Sequence, residues 1–171
     1  FLMKYLTAFI LSIFIFGCTP TVKEKTETYF GGEILNPRTN FVLFLKDDIV
    51  IDTIRLNSDN RFLAKYNSLD EGLYTFKHGL EFQYIYLEPT DSILVRLNTW
   101  DFDESIVFSG KGSSKNEFLI NLFLQNENEE KAMYQYFKLG EDAFQSKLDS
   151  LTQKRENLYQ GFVENELVVS E

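Results

Sequence analysis

Glu81-Phe-Gln-Tyr-Ile-Tyr-Leu87, Glu88-Pro-Thr-Asp91 and Ser92-Ile-Leu-Val-Arg-Leu97 read as strand, turn and strand. In the first segment Phe82, Tyr84 and Tyr86 share one face and Gln83, Ile85 and Leu87 the other. In the last, Ile93, Val95 and Leu97 oppose Ser92, Leu94 and Arg96. This period of two belongs to a pleated strand. Pro89 suits the first corner of the tight turn between them. Aromatic rings carry large apolar areas, so the Phe82/Tyr84/Tyr86 face is expected in the core or beneath later helices.

Working outward, similar runs recur between turn residues: Tyr29 to Leu35, Phe41 to Leu45, Ile49 to Leu56, Arg61 to Tyr66, Gly72 to Lys77 and Glu104 to Phe108. Asn36-Pro37, Lys46-Asp47-Asp48 and Asn57-Ser58-Asp59-Asn60 supply the turn chemistry. About eight short, closely spaced strands predict a mainly β fold, an antiparallel sandwich or barrel, over residues 28–110.

After Gly110-Lys-Gly-Ser-Ser114 the period lengthens, and residues 111–171 read as two to three helices. Ser114-Lys-Asn-Glu117 matches a capping box, followed by a stripe of Phe118, Leu119, Leu122 and Phe123. A second helix carries Met133, Tyr136 and Phe137 and stops at Leu139-Gly140. A third spaces Phe144, Leu148, Leu151, Arg155, Leu158 and Phe162 as an a/d seam, interrupted by Arg155. The seam has no obvious partner in the sequence. A further domain beyond Glu171 is therefore expected, with helices folding back on the sandwich as the alternative.

The N-terminus reads as a targeting segment. Lys4 precedes the apolar run Tyr5 to Phe16, which is shorter than the about 18–20 residues a spanning helix needs. Met3-Lys4 resembles a natural start. Ile15-Phe-Gly-Cys18 resembles a bacterial lipobox, although Phe16 is bulkier than usual there. Residues 1–17 are thus expected to be a lipoprotein signal peptide, Cys18 the lipid attachment point, and residues 18–27 a polar tether. The expected location is the cell envelope, with the inner or outer membrane left open.

Composition removes several functions. The chain carries 17 Lys and Arg against 26 Asp and Glu, a net charge of −9, and removal of residues 1–17 makes it one unit more acidic. No basic cluster is present to neutralise phosphates, so nucleic acid is not an expected partner. Cys18 is the only cysteine and His78 the only histidine. Neither a Cys-x-x-Cys redox pair nor a Cys/His zinc set can be assembled. No cofactor, metal or catalytic residue is expected. His78, in Lys77-His-Gly-Leu80, reads as an exposed turn residue.

Four pieces carry a family resemblance: Arg55-Leu-Asn-Ser-Asp-Asn-Arg-Phe62, Glu71-Gly-Leu-Tyr74, Tyr86-Leu-Glu-Pro-Thr-Asp91, and Phe108-Ser-Gly-Lys-Gly-Ser-Ser-Lys-Asn-Glu-Phe-Leu119. Together they resemble the N-terminal region of TlpA-like, thioredoxin-family lipoproteins of Gram-negative bacteria, over roughly residues 28–125. The resemblance implies a sandwich-like region ahead of a helical linker and a thioredoxin fold. Thr90 stands where that family usually has glycine in its Glu-Pro-Gly-Asp turn, and Arg61 where glycine often precedes the phenylalanine. The redox cysteines have no counterparts here. The implied role is accessory: positioning a redox domain or docking a protein client. Asp52-Thr-Ile54, Asp91-Ser-Ile93 and Asp149-Ser-Leu151 also resemble an O-glycosylation sequon of exported proteins.

Two other functions compete. One is a stand-alone lipoprotein that binds a glycan or peptide through Phe82, Tyr84, Tyr86 and Trp100. The other is a hydrolase using Asp101, Asp103 and Glu104, although such a run before a strand reads better as a solvated turn.

Overall fold

The structure, a computed structural model, describes residues 26–169, with side chains to residue 165. Eight strands form two four-stranded sheets. They are β1 (Glu27–Leu35), β2 (Phe41–Lys46), β3 (Ile49–Arg55), β4 (Arg61–Asn67), β5 (Gly72–His78), β6 (Glu81–Leu87), β7 (Ser92–Asn98) and β8 (Val107–Lys111). One sheet has the order β4-β1-β7-β8 and the other β3-β2-β5-β6. All pairs are antiparallel except β1 with β7. The sheets do not close on each other, so the fold is a sandwich.

Local chemistry fixes the connections. Asp47 and Asp48 both have positive φ, at 49° and 62°, the requirement of the two-residue hairpin turn that joins β2 to β3. Asn36 and Asn60 adopt the same left-handed region, which their short polar side chains tolerate. Inward residues then meet across the sandwich. Phe30 lies 5.4 Å from Phe44, 5.3 Å from Phe62 and 5.7 Å from Phe76, measured between ring centres. Such aromatic pairs contribute about 0.5–1.5 kcal/mol beyond area burial.

The last strand differs from its expected position. It runs Val107–Lys111, because residues before it are held as turns. The Ser105 hydroxyl accepts the Asn98 amide at 2.7 Å and lies 3.1 Å from the Asn98 carbonyl, while the Ser105 amide donates to the Asp101 carbonyl at 2.9 Å. Phe102 and Ile106 drop from this turn into the core.

Two helices follow, α1 (Ser113–Tyr136) and α2 (Glu141–Val169). The first two expected helices are one. Asn126 to Lys131 contains no glycine or proline to break it, and the polar stretch is tied by Gln125–Glu129 and Lys131–Glu127 contacts one turn apart. Gly112 is the N-cap of α1, so Ser114 lies inside the helix and is not its cap. The α2 seam finds its partner within the chain. Phe118 stacks on Phe162 at 4.5 Å and Phe137 on Phe144 at 6.0 Å, pairing the helices antiparallel. The seam charge is matched too: Arg155 reaches Glu129 of α1 at 2.5 Å.

Candidate functional site

The residues of the Glu88–Asp91 turn and of the Phe108–Leu119 stretch converge where the sandwich meets α1. Thr90 has φ 76°, the left-handed third corner of a type II turn, and the Asp91 amide donates to the Glu88 carbonyl at 3.1 Å. The Asp91 side chain is buried and accepts the Glu88 amide at 2.8 Å. Gly112, at φ 92°, allows that carboxylate to approach α1: a Cβ there would lie 2.6 Å from it. Gly110 is equally constrained, since a Cβ would meet the Ser92 carbonyl oxygen at 2.0 Å. Burial pushes the Asp91 carboxyl up from the ordinary carboxylate range, opposed by the Glu88 amide and by Lys115 and Lys111.

Asn116 completes the junction. It is buried, and its Oδ1 accepts the Tyr86 amide at 2.7 Å while its Nδ2 donates to the Tyr86 carbonyl at 2.8 Å. The side-chain amide therefore pairs with edge strand β6 as a neighbouring strand would, satisfying backbone groups that an open edge leaves bare. One turn later Ile120 enters the sandwich core, with Phe123 and Leu124 packed against it. Lys115 pairs with Glu88 at 2.5 Å. Nothing in the Asn-x-Phe-Leu pattern alone distinguishes this clamp from a surface polar residue; only the fold brings Asn116 to Tyr86.

His78 is not an exposed turn residue. It is 1 % exposed at the end of β5. Nε2 accepts the Arg38 amide at 2.9 Å, and Nδ1 lies 3.0 Å from the Phe41 carbonyl, an arrangement of a neutral ring protonated at Nδ1. Burial lowers its pKa, and Arg38 adds to the effect while the Phe41 carbonyl opposes it. Both ring nitrogens are engaged in tying the β1–β2 connection to β5, so the ring is a structural bracket.

The carboxylates Asp101, Asp103 and Glu104 lie in the turn before β8. Asp103 accepts a hydrogen bond from Gln83 Nε2 at 3.0 Å, and burial raises its pKa. Asp101 and Glu104 are exposed. The three share a turn and not a cleft with opposed acid and base positions.

The aromatic face of β6 points away from the core, contrary to expectation. Gln83, Ile85 and Leu87 are the buried residues, whereas Phe82 and Tyr84 are 50 % and 46 % exposed. The reason is that α1 closes the sandwich along β6 and β8 and covers little of the outer sheet. Only Tyr86 is partly covered, with Lys115 5.7 Å from its ring centre. Its hydroxyl donates to Glu71, which pushes the phenol up to about 12. Trp100 is 74 % exposed in the turn after β7.

Cys18 and the tether to residue 25 lie outside the described residues. Among the described residues no helix is long and apolar enough to cross a membrane. No family model matches the chain, and no curated protein matches it.

Proposed function

We propose that this chain is a non-catalytic, lipid-anchored module of the bacterial cell envelope that holds a helical arm in fixed orientation for a protein partner. The observation that carries the reading is the Asn116 clamp on Tyr86, backed by Asp91 against Gly112. It makes α1 a continuation of the sandwich and not a loosely strung linker. The lipobox-like Ile15–Cys18 supports the anchor, and the resemblance to TlpA-like lipoproteins supports an accessory role beside a redox domain. His78 is consumed structurally, which supports a module that binds and positions.

The anchor is tested by Cys18→Ser, expected to abolish labelled fatty-acid uptake and release the protein from membranes. The positioning role is tested by spin labels at Thr75 and Tyr159. A single narrow distance is expected in the parent and a broad one in Asn116→Ala, which also loses about 2–3 kcal/mol because two backbone groups of Tyr86 go unpaired. A broad distribution in the parent would sink the proposal. Disulfide exchange by the purified chain that survived Cys18→Ser would do the same.

A second reading has its own support. The exposed Phe82 and Tyr84 are in register with Lys77 and Thr75 on the outer β3-β2-β5-β6 face, a surface suited to a partner peptide. Their rings meet edge-on, at 82°, and so offer no coplanar platform for a sugar. Phe82→Ser/Tyr84→Ser should abolish partner binding without unfolding the sandwich if this face is the docking surface.

A further inference from the structure

The outer face of the β4-β1-β7-β8 sheet contains a trough of about 590 Å³. Its centre is β1, where Gly31 is in register with Leu63 of β4 and Leu94 of β7. Gly31 itself is buried beneath Leu63, whose Cδ1 would lie 2.8 Å from a Cβ at that position, so the trough opens beside it over Gly32, Leu63 and Leu94. Leu63 and Leu94 line it and remain 63 % and 46 % exposed, an apolar floor open to solvent. The volume falls within the roughly 300–1,000 Å³ range of small-molecule sites.

The rim is cationic in an otherwise acidic chain. Arg55, Arg61 and Arg96 all line the trough. Glu33 is in register with both Arg61 and Arg96, yet its ion pair is to Arg61, at a loose 3.5 Å. Among the described residues the Arg55 and Arg96 side chains have no ion-pair or hydrogen-bond partner, whereas Arg61 meets Glu33. Two free guanidiniums beside an apolar floor are chemically specific, because a guanidinium fork matches a carboxylate and an apolar floor takes a hydrocarbon body. The chain's net charge of −9 makes a local positive site more selective, since the rest of the surface repels anions. Glu33 at the rim disfavours a dianion such as a phosphate ester, and among the described lining residues no exposed aromatic ring is available to stack a nucleobase.

We propose that this trough binds an amphipathic monocarboxylate, with its hydrocarbon over Gly32, Leu63 and Leu94 and its carboxylate held by Arg55 and Arg96. The floor of the site lies on the opposite sheet from Phe82 and Tyr84, with Arg55 reaching its rim from the end of β3, and the site does not depend on the positioning role. Calorimetric titration of the full chain with decanoate, decanol and decyl phosphate, each kept below its aggregation concentration, tests it. Decanoate should bind with one-to-one stoichiometry and more tightly than either of the others. Arg55→Gln/Arg96→Gln should weaken decanoate by at least about tenfold while leaving decanol binding and the melting temperature unchanged. Leu94→Asp should weaken decanoate and decanol together. Equal affinity for decanoate and decanol, tighter binding of decyl phosphate, or no effect of the arginine pair would overturn the proposal. Lys65→Gln/Lys77→Gln, outside the trough, is the control for general charge, and an equal loss there would overturn it as well.

Discussion

Phe30, Phe44, Phe76 and Ile85 expose none of their surface in the sandwich, whereas beyond Ile120 the described part of the α1–α2 hairpin buries a single hydrophobic side chain, Leu151. The sandwich is held by a ring cluster meeting from both sheets. The hairpin is held by two ring stacks at its ends and by Glu129, which takes both Arg155 and Lys154 in between. Burial scales with apolar area removed from water, at roughly 25 cal/mol per Å². The two regions should therefore open independently, the hairpin first, with α1 near Asn116 behaving as part of the sandwich.

The harshest test removes one ring. Phe30→Ala should cost about 3–5 kcal/mol, since Phe30 touches three other rings and the cavity cannot fully collapse. Urea unfolding should show the loss in sandwich probes, while probes on the hairpin beyond Ile120, which opens first, keep their midpoint. Leu151→Ala, by contrast, should raise amide exchange in α2 and the distal half of α1 while β1 and β7 keep their protection. Equal loss of protection in the sheets would show that hairpin and sandwich form one cooperative unit.

The same contrast separates what the sequence made legible from what it did not. Alternation placed eight strands because the inward residues of a pleat are mostly apolar, and β7 followed its expected faces residue by residue. It could not say which face of β6 turns inward, because Phe82, Tyr84 and Tyr86 are as apolar as the face that is buried. That choice was made by α1, which closes the β6 and β8 edge and leaves the aromatic face bare. His78 misled for a related reason: Gly79-Leu80 is a turn, but His78 is the last residue of β5 and the Arg38 amide that occupies its Nε2 lies forty residues away. Arg155 looked like a defect in a seam until Glu129 stood opposite. Long-range pairings of single polar side chains leave no periodic trace, and the Asn116 clamp and the arginine-rimmed trough are of that kind.

Acid should act on the sandwich through His78. Its folded pKa is lowered from 6.5, so the folded state binds fewer protons than the unfolded chain between that lowered value and about 6.5. The stability is present above 6.5 and is lost as pH falls toward the folded value, with a slope of at most about 1.4 kcal/mol per pH unit. Asp91 and Asp103 act in the opposite sense. Their folded values are raised, so the stability their protonation gives is full below the ordinary carboxylate range and is lost as pH rises through the folded values. Urea midpoints across this range should therefore fall with acid in the parent and flatten near and just below pH 6.5 in His78→Gln, whatever its absolute stability. An unchanged slope in the variant would remove His78 from the account. Spectroscopic loosening of the hairpin ahead of the sheets would locate the acid response in the wrong region.

The smallest expected effect lies at the junction of the two regions. Thr90 holds φ 76° in the Glu88–Asp91 turn, where a β-branched side chain is strained by about 1–2 kcal/mol. Thr90→Gly relieves that strain but gives the unfolded chain more freedom, a cost of about 0.5–1 kcal/mol. It also removes the exposed hydrogen bond from Lys111 Nζ to the Thr90 hydroxyl. The net gain should be about 0.5 kcal/mol, or a rise in melting temperature of roughly 2 °C. Thr90→Ala separates the causes, since it loses the hydroxyl while keeping the positive φ, and it should be no more stable than the parent. Because Asp91 rests against Gly112, the glycine variant should slow amide exchange in the first turn of α1 as well as in the turn itself. A glycine variant no more stable than the alanine one would mean that the turn is unstrained. Stabilisation confined to the turn, with α1 unchanged, would uncouple the helical arm from the sandwich at the point where the two are held together.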